Sequence, residues 1–211
     1  MLVSRSSAKA AMTDDDVVVL YAAARSLFRA SILQAGFDEA IVRALITKYN
    51  DAGPRSAPWK PVSGRVPGRP QDRADGNRIN RWQLPSEHKF HSTQVDGTLV
   101  AIKYLFQTLA MTGAPTIPPA VSNAFQWLVG HEIRPGAFLD PIQRIDVPLR
   151  DVVENPRIIT SGHIVPLDRG GRHVPTNTSL MLKLSNDLQG NNTLEELLTV
   201  IHGILTRHGR I

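Results

Sequence analysis

The residues of this chain with types suited to chemistry gather in one stretch, Ser161 to Gly190. It holds His163 and His173, then Asn177, 14 residues after His163, and Asn186, 9 residues further on. An imidazole titrates near neutrality and can take up a proton from water. The side-chain oxygen of asparagine suits a hard divalent cation. Arg169 and Arg172 stand in the same stretch and have the donor geometry that phosphate groups accept. A lone histidine in a strand is commonly structural, and Gly-Gly with Asn is ordinary turn chemistry. Their joint order and spacing carry more weight than any one of them.

The elements that must position these residues follow from the local pattern. Ile158-Ile159-Thr160 starts a strand that Ile164-Val165-Pro166-Leu167 finishes, and Asp168-Arg169-Gly170-Gly171 supplies a reversal, with glycines able to take positive φ. Thr178 to Leu182 reads as the returning strand. Lys183 to Gly190 reads as a short helix closed by glycine.

In this order the stretch resembles the HNH, or ββα-metal, endonuclease family, and His163, Asn177 and Asn186 fall on its three signature positions. Its narrower pattern, Ser161-Gly162-His163 with Arg169-Gly170-Gly171-Arg172-His173 and Ser185-Asn186 before Gln189-Gly190, is similar to a cysteine-free subgroup of bacterial restriction-type members. The resemblance covers about 30 of 211 residues. It implies an α+β, mostly helical fold with a C-terminal ββα-metal (HNH) finger flanked by helices. It also implies a phosphodiester hydrolase acting on double-stranded DNA, of type II restriction kind. His163 would be the general base, Asn177 would tie the loop to the strand, and Asn186 would hold Mg²⁺ or Mn²⁺ against the leaving 3′ oxygen. His173 would be a second ligand or a phosphate contact. A homodimer is expected, because each such site cuts one strand. The alternatives are another HNH nuclease (phage-encoded, nicking or modified-base-dependent) or a DNA-binding protein that keeps the finger only as a fold.

Two departures bear on that reading. Most members carry an acidic metal ligand where this chain has Gly162, which leaves Asp146, Asp151, Glu154, Ser161 and Asp187 as candidate replacements, with Asp168 read as a turn residue. Many members also hold the finger with a cysteine-zinc site. This chain has no cysteine, so packing must do that work.

Composition agrees with a polyanionic partner. The net charge is +5, and a stretch from Arg55 to Arg81 holds seven basic against two acidic residues. Together with a pI near 9.9 this favours nucleic acid. Within and beside the stretch, Arg78, Asn80, Arg81 and Lys89 are the leading candidates for DNA contact, with Arg169 and Arg172 from the finger. Zero cysteines fit a reducing compartment, and no apolar run is long enough for a membrane span. The expected setting is a bacterial or phage-infected cytoplasm.

Four segments are expected. Residues 1–52 form a helical hairpin, opened by Thr13 before Asp14, Asp15 and Asp16 and turned at Gly36. Residues 53–92 are a basic arm rich in Pro, Gly and Arg. Residues 93–157 are a helical scaffold and a proline-broken strap, with a core helix through Leu99, Ile102, Leu105, Phe106 and Leu109 and a second helix opened by Pro118-Pro119. Residues 158–211 hold the finger and a terminal helix capped by Thr193, with Leu197, Val200, Ile201, Ile204 and Leu205 facing inward.

Overall fold

A computed structural model of the chain describes residues 12–56 and 79–211. Helix α1 (Asp14–Gln34) starts at Thr13, whose hydroxyl accepts from Asp16 N while the Asp16 carboxylate accepts from Thr13 N. Helix α2 (Glu39–Ala52) is capped by Asp38. Val17, Ala24, Phe28 and Ile32 on α1, with Val42, Leu45 and Tyr49 on α2, recur at helical spacing and turn one face of each helix inward.

The surface they cover is helix α3 (Gln94–Leu109). From Asp96 to Leu109 every residue of α3 is buried, so it is a rod enclosed on all sides rather than an amphipathic surface helix. It touches α1, α2, helix α4 (Pro119–Val129) and the C-terminal hairpin. Such enclosure forces each polar side chain on α3 to find a partner. The Thr108 hydroxyl meets Tyr49 Oη at 2.7 Å, Lys103 Nζ donates to Pro175 O at 2.7 Å, and Gln107 bonds both Ser179 Oγ and Leu180 N. Lys103 and Gln107 thus dock the hairpin onto the helical body.

Strands β1 (Arg55–Ser56) and β2 (Ile79–Asn80) form a short antiparallel pair, Arg55 opposite Asn80 and Ser56 opposite Ile79. Most of the expected basic arm, including Arg78, lies outside the described residues. After α4, which Gly130 ends at φ +83°, the strap leads to helix α5 (Leu149–Glu154). Strand β3 (Ile159–His163) then pairs antiparallel with β4 (Thr178–Leu182), and helix α6 (Lys183–Gln189) follows directly. Lys48 on α2 donates to the carbonyls of Pro156 and Ile159 and pins the start of β3. Strand β4 and helix α6 fall where the turn residues predict them, whereas β3 ends at His163, short of the expected Ile164–Leu167, and Leu167–Arg169 form a single 3-10 turn instead. One hydrophobic cluster runs from Val17 to Leu180 through helices α1 to α5 and the hairpin.

The last helix, α7 (Leu194–Arg207), departs from expectation. Its Thr193 capping box forms, yet Leu197 is the residue that its inner face buries. Leu198, Val200, Ile204 and Leu205 are exposed, so Val200, Ile204 and Leu205 do not face inward. Its contact with α6 is narrow, supplemented by an ion pair between Glu196 and Arg169. An apolar face requires a covering surface, and no described element of this chain supplies one. Among the described residues, no helix is long and apolar enough to cross a membrane.

Asp140 sets where α6 begins. Its fully buried carboxylate accepts from Ile142 N, Gln143 N and Ser185 Oγ on one oxygen and from Leu182 N on the other, all within 3.0 Å. The strap is thereby riveted to the strand–helix junction. Asp140→Ala would leave three part-buried backbone donors without their acceptor, and is expected to lower unfolding free energy by about 2 kcal/mol or more. Urea denaturation of the two proteins measures it, and a change within about 0.5 kcal/mol would contradict the rivet.

Candidate active site

The junction of β3, β4 and α6 opens a cleft of about 450 Å³. His163 stands at the end of β3, opposite Thr178 in the ladder, and Asn186 stands one turn into α6; both line the cleft. Gly162 lies between them. A Cβ built there would come within 2.4 Å of Met181 Sδ and 3.0 Å of Asn186 Oδ1. Met181, fully buried, therefore fills the place that an acidic side chain at this position would need, and Asn186 turns its amide oxygen to the same spot.

Asn177 holds the connecting loop. Its Oδ1 accepts from Val165 N at 2.8 Å, and its Nδ2 donates to Val165 O and Arg172 O, both at 2.9 Å. The loop can close so tightly because residue 171 is glycine: a Cβ there would lie 2.0 Å from Val165 O. Gln189, one turn beyond Asn186, donates through Nε2 to His163 O and Ile164 O and closes α6 against the end of β3. Sequence reasoning gave Gln189 no role. Its i+3 relation to Asn186 was the available signal, since it places the two on one face of the helix.

His163 Nε2 lies 3.0 Å from His173 Nδ1, and His173 Nε2 lies 2.9 Å from Gly53 O at the end of α2. His173 is 1% exposed, and Ser92 Oγ holds its carbonyl at 2.7 Å. With both ring nitrogens engaged, it is neither a phosphate contact nor a second cation ligand, as the sequence had led us to expect. Burial, and then the nearby Arg81 guanidinium, push the His163 imidazole down to about 4. The same causes hold His173 well below its ordinary value. Both rings are neutral at physiological pH.

Arg81 corrects another expectation. At 9% exposure its guanidinium is spent inside the protein, donating through Nε to Gly53 O at 2.9 Å and further to Phe90 O and Ala52 O. It anchors the end of α2 and cannot lie on a DNA-contacting surface. Asn80 sits in β2, its backbone N–H donating to Gln83 Oε1. Lys89 reaches the cleft rim and pairs with Asp168 at 2.6 Å, and Arg169 pairs with Glu196. Arg172 is exposed.

Of the candidate replacements for an acid at position 162, Asp146, Asp151, Glu154 and Asp187 are exposed residues away from the cleft lining, with Glu154 and Asp187 paired to Arg150 and Lys183. Ser161 lines the cleft, and Asp168 is the carboxylate among its lining residues. Among the described residues, no three His, Cys, Asp or Glu side chains converge as a metal-holding group. The oxygens offered by the lining are the Asn186 amide and the Asp168 carboxylate, the Ser161 hydroxyl being bonded to the buried Tyr104 phenol. They suit a hard cation that keeps most of its waters, and not a zinc ion.

No family model matches the sequence. No curated protein matches it significantly. Among solved structures, a crystal structure of a type II restriction endonuclease aligns with a TM-score of 0.49 at 19% identity, over 64% of this chain and 64% of that one.

Proposed function

We propose that this chain is a metal-dependent HNH endonuclease that hydrolyses phosphodiester bonds of double-stranded DNA, of type II restriction kind and acting as a homodimer. The observation that carries the reading is the cleft itself: a strand–strand–helix unit with a neutral histidine and an asparagine oxygen facing one space. His163 takes the proton from the attacking water, a role that requires an unprotonated ring. Asn177 keeps the loop, and with it the histidine, in place. Asn186, with the Asp168 carboxylate lining the same cleft, would hold Mg²⁺ or Mn²⁺. When bound, the cation supplies positive charge to the leaving 3′ oxygen. Arg172 and the paired cations Lys89 and Arg169 rim the finger and are the surface offered to phosphates, with Asn80 at the base of the arm.

A second reading has its own support. Met181 occupies the room that an acidic ligand at position 162 would use, so the protein donors to a cation are few. A DNA-binding protein that keeps the unit only as a fold fits that observation.

Duplex DNA incubated with the protein and Mg²⁺ or Mn²⁺ separates the two. Cutting that needs the metal and falls at least about 100-fold in His163→Ala is expected. DNA that is retarded on a gel but intact under every condition would establish the second reading instead.

The pH dependence follows from the sign of the His163 shift. An ordinary imidazole near 6.5 is mostly protonated at about pH 5.5, whereas His163, lowered to about 4, is still the free base there. The acid limb of kcat is therefore expected near 4 to 5. In the unfolded chain the ring titrates near 6.5, so the folded protein loses stability as pH falls from about 6.5 to about 4. A kcat limb at 6.5, measured where the protein stays folded, would contradict the neutral buried base.

A further inference from the structure

We infer that His173 is the positioning residue for His163, fixing by its own tautomer which nitrogen of His163 is left to receive a proton. The chain of contacts starts 120 residues away, at the Gly53 carbonyl, which can only accept. The 2.9 Å contact therefore requires a proton on His173 Nε2. A neutral imidazole carries one N–H, so His173 Nδ1 is a bare lone pair. The 3.0 Å contact to His163 Nε2 then requires that nitrogen to be the donor. What remains on His163 is Nδ1, unprotonated, as the accepting atom. Two protonated rings would set N–H against N–H, so the pair carries at most one added proton.

The starting carbonyl cannot drift. A Cβ on Gly53 would lie 2.7 Å from Ala101 N and 2.8 Å from Gly97 O, so the end of α2 rests backbone to backbone on α3. Arg81 Nε shares the same oxygen at 2.9 Å, and Ser92 Oγ fixes the His173 main chain. The ring of His173 is thus held at Nε2 and at its backbone, and its remaining nitrogen aims His163. As His163 gains a proton at Nδ1, its Nε2–H bond to His173 strengthens, in the way a carboxylate steadies the histidine of a catalytic triad. Only the word "base" for His163 depends on the hydrolytic reading. The tautomers do not.

Nitrogen-15 spectra of the imidazoles in the full chain at neutral pH read this directly. Protonated Nε2 and bare Nδ1 are expected on both His163 and His173; Nδ1–H on either ring overturns the inference. The kinetic arm uses His173→Phe, which removes both contacts, and His173→Gln, whose amide offers one acceptor and one donor as the ring does. His173→Phe is expected to lower kcat about 10- to 100-fold with KM little changed, and His173→Gln to recover part of it. Unchanged kcat in a folded His173→Phe protein also overturns it. Where His173→Phe does not fold, the wild-type spectrum and the Gln variant decide. Expected tautomers in a protein that cuts no DNA with any metal would sink the nuclease reading and leave this inference standing.

Discussion

A single carbonyl oxygen, that of Gly53, joins the two ends of this molecule. It terminates α2, and it accepts from Arg81 Nε on one side and His173 Nε2 on the other. A helix C-terminus carries partial negative charge, so a buried guanidinium there satisfies its donors and complements the dipole together. The oxygen stays put because glycine at 53 lets two backbones touch. Without that approach, the C-terminal hairpin and the N-terminal helices would still share an apolar core, but the histidine pair would have no fixed origin.

The arrangement exchanges stability for a reactive state. Burying two imidazoles beside a cation keeps both neutral, which costs folding free energy under acid conditions and leaves both rings as free bases across the neutral range. The body around it is built to carry that cost. Enclosing α3 on every side recruits Tyr49, Phe28 and Phe106 into one cluster, each such side chain contributing about 1.5–3 kcal/mol when buried. The polar groups left on α3 hold the hairpin.

Local signals were legible wherever they are self-contained. Thr13 and Thr193 cap their helices because a hydroxyl three residues before an acid is a complete instruction. Gly170 and Gly171 announced the reversal, and the strand and helix after it followed. The bonds of Asn177 are local too, its partners lying within 12 residues. What was not legible depends on distant partners. Arg81 reads as a surface cation until the carbonyls of residues 52, 53 and 90 are brought around it. His173 reads as a loop histidine until Gly53 arrives. Asp140, a carboxylate in a proline-rich strap, gives no hint that Leu182 and Ser185 will come to it. Periodicity in α7 reported an apolar face correctly but could not report that the described chain leaves it uncovered.

Two of the cations at and beside the rim of the cleft are already matched, Lys89 with Asp168 and Arg169 with Glu196. A polyanion arriving there would trade one carboxylate for one phosphate at each pair, and a trade releases fewer condensed counterions than a fresh neutralisation does. Association at this rim would therefore respond to ionic strength less steeply than a tally of its lysines and arginines implies. Much of the discrimination between one polyanion and another would fall to fit rather than to charge.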